Sequence, residues 1–130
     1  MSEKKCDIGI IGLGVMGRNL ALNIADHGFS VAGYDLDKDK VGSFENEKKT
    51  MHKIQTASDI KQFVGLLERP RAMILLVPAG TAVDMVIESL KTHLESDDLI
   101  IDAGNSNFED TNRRLQSAAE IGLGYLGMGV

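Results

Sequence analysis

A glycine-rich turn near the start of the chain constrains its fold more than any other sequence feature. The apolar run Ile8–Ile11 leads into the turn Gly12–Gly17, which has the spacing Gly-x-Gly-x-x-Gly and opens a helical pattern. Asp35 ends the next apolar segment, 18 residues after Gly17. A strand, this spacing, a helix and a following acid form the fingerprint of a dinucleotide-binding βαβ unit. The glycine spacing alone would also fit an ordinary strand–helix turn.

Each glycine of this turn has a separate physical role in the fingerprint. Gly12 permits the tight turn, Gly14 lets the backbone approach a pyrophosphate, and Gly17 lets the helix pack closely on the strand. The pyrophosphate lies at the helix N terminus, where unpaired N–H groups and the helix dipole favour negative charge. Asp35 is expected to accept hydrogen bonds from the adenosine ribose.

Composition and charge narrow the class of protein. The 130 residues are 43% hydrophobic and 25% charged, which is typical of one globular domain. The net charge of −5 argues against nucleic acid or a membrane surface as a partner, and no apolar run approaches the roughly 20 residues that cross a bilayer. The N terminus shows no signal peptide and Cys6 is the single cysteine, so we expect a cytoplasmic protein. The three histidines share no metal-ligand spacing, and no metal site is expected.

Short apolar runs alternate with amphipathic ones, the pattern of βαβ units in a parallel sheet. The predicted strands are Asp7–Ile11, Phe29–Tyr34, Met51–Gln55, Ala72–Val77, Leu99–Ile101 and Gly124–Val130. The predicted helices are Val15–His27, a polar helix from Asp37 or Asp39 to about Glu47, Ile60–Leu67, Thr81–His93 and Glu109–Glu120. Capping residues are expected at Gly28 and in the segment Thr56–Asp59, and core methionines at Met16, Met73, Met85 and Met128. The predicted fold is α/β, a doubly wound, mostly parallel Rossmann sheet with helices on both faces.

Three loops of such a sheet are predicted to form one site. Ligands of a doubly wound sheet bind beyond the carboxyl ends of its strands. The loops that should meet there are Gly12–Gly17, Val77–Gly80 and Ala103–Ser106. The second is a plausible floor for a nicotinamide, and Asn105 offers a donor and an acceptor at the reacting end. This convergence favours a nicotinamide dinucleotide over a mononucleotide.

Several segments carry a resemblance to a known family. They are Gly12–Ile24, Leu76–Gly80, Asp102–Ser106 and Phe108–Arg114. In these segments the chain closely resembles the N-terminal cofactor-binding domain of 6-phosphogluconate dehydrogenase, within the β-hydroxyacid dehydrogenase superfamily. The resemblance extends from about Asp7 to Val130, although the family commonly has lysine where this chain has Pro78.

The resemblance implies a function and a set of site residues. The family oxidises 6-phosphogluconate by hydride transfer to NAD(P)+ and then decarboxylates the product to ribulose 5-phosphate. The residues that the resemblance places at the cofactor are Gly12, Leu13, Gly14, Val15, Met16, Gly17, Asp35, Leu36, Asp37, Val77, Pro78, Ala79 and Asn105, and Asn105 would also contact the substrate. The lysine and glutamate that act as general base and acid, and the helical domain that builds the homodimer, lie further along the family's chain. We therefore expect residues 1–130 to be a Rossmann domain truncated before those parts, without catalytic residues and inactive alone.

One departure from the family concerns cofactor preference. The triplet Asp35-Leu36-Asp37 stands where most of the family has Asn-Arg-Ser/Thr, whose arginine and hydroxyl hold the 2′-phosphate of NADP. A phosphate charge about 4 Å from a carboxylate costs roughly 4 kcal/mol at an effective dielectric near 20. NAD is therefore expected to bind better than NADP, unless Lys38 or Lys40 turns toward the phosphate.

The sequence leaves two alternative functions and the role of one residue undecided. The chain could belong to another β-hydroxyacid dehydrogenase, of the 3-hydroxyisobutyrate type, or to a non-catalytic nucleotide-sensing module. Arg18 could contact the ligand or be a solvated helix residue.

Overall fold

The computed structural model describes residues 5–35, 37–47, 54–57, 59–77, 81–94, 97–103 and 124–127. The strands are β1 (Ile8–Ile11), β2 (Val31–Tyr34), β3 (Ile54–Ala57), β4 (Ala72–Leu75), β5 (Leu99–Asp102) and β6 (Gly124–Gly127). The helices are α1 (Val15–Asp26), α2 (Lys38–Glu47), α3 (Ile60–Gly65) and α4 (Thr81–Lys91). The predicted helix Glu109–Glu120 lies outside the described residues.

The six strands form one parallel sheet in the order β3-β2-β1-β4-β5-β6. The chain winds outward from β1 to β3, crosses back to β4, and then winds outward in the other direction. The strand order therefore reverses between β1 and β4, where an open α/β sheet leaves a crevice at its carboxyl edge. This architecture confirms the predicted doubly wound sheet.

Helices cover both faces of the sheet, as predicted. On one face α1 and α2 share a buried cluster with β1 and β2, in which Phe44 packs with Ile10. On the other face α3 and α4 share a cluster with β4, in which Phe63 and Leu90 pack with Met73. The central strands are apolar on both faces because each face has its own layer of helices.

The helix α1 approaches the sheet through small residues. Gly17, Ala21 and Ala25 are its buried residues, spaced four apart on one face. The prediction that Met16 belongs to the core is therefore wrong, because a stripe of small side chains faces the sheet and Met16 is 59% exposed. Met85 is also 59% exposed, whereas Met73 is buried as predicted and Met128 lies outside the described residues.

The carboxyl end of α1 shows how local sequence fixes a helix boundary. Gly28 has a φ of +96°, and its N–H donates to the carbonyl of Ala25 at 3.0 Å. The N–H of Phe29 donates to the carbonyl of Ile24 at 3.4 Å, which completes a Schellman motif. The prediction that Gly28 ends this helix is confirmed.

The third strand ends further along the chain than predicted. We expected Met51–Gln55; residues 51–53 lie outside the described residues, and the described strand Ile54–Ala57 continues two residues past Gln55, with Ile54 and Ala57 both buried. Within the predicted capping segment, the Asp59 side chain is the cap: its Oδ1 accepts the N–H of Gln62 at 2.7 Å. Thr56 instead lies in the strand, where it pairs with Gly33 of β2 in the parallel ladder.

An ion pair holds the amino ends of β4 and β5 together. Arg71 donates its backbone N–H to Asp98 Oδ1 at 2.7 Å and its guanidinium Nη1 to Asp98 Oδ2 at 3.1 Å. The side chains of Arg71 and Asp98 are only 14% and 2% exposed. This pair is remote from the carboxyl edge of the sheet, so its role is structural.

The single cysteine is buried just before β1. Cys6 donates its backbone N–H to the carbonyl of Leu66 at 2.7 Å, and its carbonyl accepts the N–H of Glu68 at 2.9 Å. Burial, with a smaller contribution from the charge of Asp7, raises the pKa of the Cys6 thiol to about 11.

Within the described part of the chain, no helix is both long and apolar enough to span a membrane.

Candidate cofactor site

The glycine turn lies at the crevice between β1 and β4. Gly12 has a φ of +107°, a conformation that side-chain-bearing residues rarely adopt. Its N–H donates to the carbonyl of Tyr34 at 2.9 Å, and the N–H of Leu76 donates to the carbonyl of Ile11 at 2.8 Å. A Cβ on Gly12 would lie 2.5 Å from the carbonyl oxygen of Leu76. The close approach of the two strand ends therefore requires glycine here.

The other two glycines of the turn differ in the space around their Cα atoms. A Cβ on Gly17 would overlap the carbonyl oxygen of Gly12, so this glycine lets α1 contact the turn. A Cβ on Gly14 would meet nothing within 4 Å, and the φ of Gly14 is an ordinary −72°. Neither packing nor backbone conformation explains the glycine at position 14. It leaves an open space in front of α1.

That open space faces the N terminus of α1. Gly14 is the N-cap of this helix, no side-chain hydrogen bond caps it, and its first turn contains no acidic residue. The first N–H groups of a helix have no partner within the helix and carry its positive dipole end. Val15 and Met16, beside this opening, are 66% and 59% exposed. The open space and the uncapped N–H groups fit a pyrophosphate.

The acid after β2 contacts this turn directly. Asp35 is half-buried, and its Oδ2 accepts the N–H of Leu13 at 2.7 Å. Its Oδ1 accepts the N–H of Asp37 at 2.8 Å. Asp37 is exposed and is the side-chain cap of α2, since its Oδ1 accepts the N–H of Asp39 at 2.9 Å. Leu36, between the two acids, lies outside the described residues.

The structure brings most of the predicted site residues together at one edge. Gly12–Gly17, Asp35, Asp37 and Val77 follow the carboxyl ends of β1, β2 and β4, and Val77 is half-buried against the core. The remaining predicted residues, which are Leu36, Pro78, Ala79 and Asn105, lie outside the described residues. No group of side chains that could hold a metal ion is present among the residues described.

Two features of this edge were missed by the sequence reasoning. The guanidinium Nη1 of Arg18 donates to Ser43 Oγ at 3.4 Å, which places this half-buried side chain between α1 and α2. Arg18 is thus not simply a solvated helix residue. The second feature is the carbonyl of Leu76, whose closeness to Gly12 restricts that position to glycine. The only sequence signal for it is that the apolar run Ala72–Val77 continues past the end of β4.

A doubly wound parallel sheet with this glycine turn at its switch point defines a class of protein, the dinucleotide-binding domains. Comparison with known families identifies the member of that class. Residues 7–130 match the family described as the NAD binding domain of 6-phosphogluconate dehydrogenase. The chain belongs to this family, as the resemblance in the sequence indicated.

Curated relatives agree with this assignment. The chain is 49% identical over 126 residues to the "6-phosphogluconate dehydrogenase, NADP(+)-dependent, decarboxylating" of Bacillus subtilis. This match covers 97% of this chain and 27% of the relative. It is 44% identical over 130 residues to 6-phosphogluconate dehydrogenase, decarboxylating 2, of Saccharomyces cerevisiae, covering 100% of this chain and 26% of the relative. The chain thus spans about a quarter of the length of these relatives.

Solved structures show the same fold. The 6-phosphogluconate dehydrogenase of Plasmodium falciparum, described in complex with NADP+ and with 6-phosphogluconate, has a TM-score of 0.89 and 37% identity. That match covers 96% of this chain and 27% of the other. The 3-hydroxyisobutyrate dehydrogenase of Mycobacterium tuberculosis has a TM-score of 0.81 over 97% of this chain and 40% of its own, at 20% identity. This second likeness shows the fold alone.

Proposed function

We propose that this chain is the cofactor-binding domain of a decarboxylating 6-phosphogluconate dehydrogenase. The observation that carries the proposal is the open space at Gly14 before the uncapped N terminus of α1, in a chain of this family. The names of the curated relatives favour this branch over enzymes of the 3-hydroxyisobutyrate type. A chain with only this domain is expected to bind the cofactor and to lack the catalytic acid and base.

The proposed roles of the described residues follow from their positions. The N–H groups at the start of α1 bind the pyrophosphate in the space that Gly14 leaves open. Asp35 and Asp37, after β2, lie on the side where the adenosine ribose binds. When bound, the cofactor accepts a hydride from the substrate, and Val77 would line its site after β4. Asn105 is proposed to contact both the cofactor and the substrate.

The substrate and the assembly belong to the whole protein. A phosphorylated sugar acid, 6-phosphogluconate, is the proposed substrate, because the relatives are named for it. The residues that would hold its phosphate, the general base and the general acid are expected outside this chain. A homodimer of the full-length protein stays a prediction from the resemblance.

We further propose that the domain prefers NAD over NADP. Asp35 and Asp37 both follow β2, the Asp35 carboxylate accepts the backbone N–H of Asp37, and the Asp37 side chain already caps α2. A 2′-phosphate there would face negative charge and would compete with Asp37 for the N–H groups of α2. The Bacillus relative is named NADP(+)-dependent and NADP+ is described as the cofactor of the Plasmodium enzyme, so the preference rests on this chain's own triplet.

A titration tests the preference. Calorimetry of the chain with NAD and with NADP, at one salt concentration, is expected to give a lower Kd for NAD by about tenfold, which is about 1.4 kcal/mol. The double variant Leu36→Arg/Asp37→Ser is expected to reverse the order, because it supplies a cation and removes a charge. Asp26→Asn, which removes one negative charge at the far end of α1, should leave the ratio unchanged. A lower Kd for NADP in the unmodified chain would contradict the proposal.

A further inference from the structure

We infer that Asp35 is a positioning residue for the glycine turn, through which it supports pyrophosphate binding as well as any contact with the ribose. The inference rests on the proposed function, because it concerns the same cofactor site. It adds a role for the carboxylate that the dinucleotide fingerprint does not assign. In the fingerprint the acid after the second strand contacts only a ribose hydroxyl.

The first step is the contact between Asp35 and the turn. Asp35 Oδ2 accepts the N–H of Leu13 at 2.7 Å, a length typical of a hydrogen bond to an ionised carboxylate. One residue earlier, the N–H of Gly12 donates to the carbonyl of Tyr34 at 2.9 Å. Consecutive N–H groups of the turn are therefore held by consecutive residues at the end of β2. The second of these bonds depends on a side chain, and a substitution can remove it.

The second step is the burial of Leu13. Its side chain is 1% exposed and packs in the cluster between α1, α2 and the sheet. With the side chain fixed in the core, the backbone of Leu13 cannot readily turn toward solvent to replace a lost acceptor. A part-buried N–H without a partner is costly, so loss of the Asp35 carboxylate is expected to shift the peptide that leads into Gly14. That shift would disturb the space in front of α1.

The third step concerns the other oxygen of the same carboxylate. Asp35 Oδ1 accepts the N–H of Asp37 at 2.8 Å, and Asp37 in turn caps α2. One side chain thus connects the turn after β1 with the turn after β2. A carboxylate oxygen can accept more than one hydrogen bond, so both oxygens can still accept from a ribose hydroxyl. The positioning role and the ribose contact are compatible and need an experiment that separates them.

Ligands without ribose hydroxyls separate the two roles. If Asp35 only contacts the ribose, Asp35→Ala weakens binding of ADP but not of 2′,3′-dideoxy-ADP. If Asp35 positions the turn, the variant weakens binding of both, and we expect a loss of about tenfold for dideoxy-ADP, the typical effect of one hydrogen bond to a charged group. Asp35→Asn keeps the shape of the side chain and one acceptor oxygen, so its affinity for dideoxy-ADP should fall less than that of Asp35→Ala. Asp26→Asn is the matched control and should bind both ligands as the unmodified chain does.

Hydrogen exchange in the ligand-free chain gives a second readout. The Leu13 amide is expected to be protected in the unmodified chain and to exchange about tenfold faster in Asp35→Ala, because its acceptor is gone. The exchange of amides in α4 serves as the control for global stability. Should Asp35→Ala fold poorly, Asp35→Ser, whose side chain is one bond shorter and ends short of the Leu13 N–H, carries the same comparison.

The outcomes distinguish this inference from the proposed function. Unchanged affinity for dideoxy-ADP, or an unchanged exchange rate at Leu13, in the variant that removes the acceptor would overturn the positioning role. If the unmodified chain binds neither ADP nor NAD, the proposed function fails, whereas faster exchange at Leu13 would still show that Asp35 holds the turn. Loss of dideoxy-ADP affinity together with faster exchange supports the full inference.

Discussion

Replacing Gly17 with alanine is expected to lower the free energy of unfolding by about 3 kcal/mol, the scale of a forced steric overlap in a packed region. The added methyl group would overlap the carbonyl oxygen of Gly12, which is backbone and cannot move aside cheaply. At an ordinary helix position, replacing glycine with alanine raises the free energy of unfolding by up to about 1 kcal/mol. A decrease at position 17 would therefore indicate the steric overlap. Urea unfolding followed by circular dichroism measures the difference.

Gly14→Ala provides the matched control for this substitution. The same methyl group would meet nothing within 4 Å, and the backbone conformation suits alanine, so stability should change by less than about 1 kcal/mol. The added group would nevertheless fill the space in front of α1, and the affinity for NAD should fall. Equal destabilisation by the two substitutions would contradict the separate roles assigned to these glycines.

Asp98→Ala is expected to have a comparable effect on stability, at the opposite edge of the sheet. Removing the carboxylate leaves the largely buried Arg71 guanidinium without this partner and takes the acceptor from the Arg71 backbone N–H. Breaking a buried ion pair typically costs about 3 kcal/mol or more. Thermal or urea unfolding of the variant should show this loss, while the affinity for NAD at the carboxyl edge changes little.

An exposed ion pair of the same chain serves as the control. Lys91 donates to Glu88 at 3.1 Å on α4, but the Glu88 side chain is 73% exposed. Glu88→Gln should therefore change the free energy of unfolding by less than about 0.5 kcal/mol. If both substitutions cost the same small amount, burial does not decide the strength of the Arg71–Asp98 pair.

The fold could be predicted from sequence because its signals are local and periodic. Alternation of apolar runs with amphipathic segments predicted the parallel sheet, and the glycine turn predicted the β1–α1–β2 unit that the structure confirms. The end of the third strand was predicted two residues too early because Thr56 and the residues after it also carry capping signals, and their pairing with β2 cannot be read from the sequence. Met16 was misplaced because hydrophobicity alone does not show that small residues form the packed face of α1.

The contacts between distant segments could not be predicted in this way. Asp35 was predicted to contact the ribose from its sequence distance to the glycine turn. Its hydrogen bond to Leu13, by contrast, depends on β1 and β2 being neighbouring strands that end at the same level of the sheet. The Arg71–Asp98 pair likewise joins residues 27 apart, whose charges look solvated in the sequence. The roles of the cofactor-site residues themselves stay predictions that the binding experiments test.

The buried thiol makes the chain a ready background for site-specific labelling. Thiol reagents attack the thiolate, and burial both raises the pKa of Cys6 to about 11 and shields its sulfur from the reagent. A cysteine introduced at an exposed position such as Asp26→Cys would ionise near the usual pKa of about 8.5. A maleimide dye would therefore mark the introduced residue selectively. The label is then attached without first removing the natural cysteine.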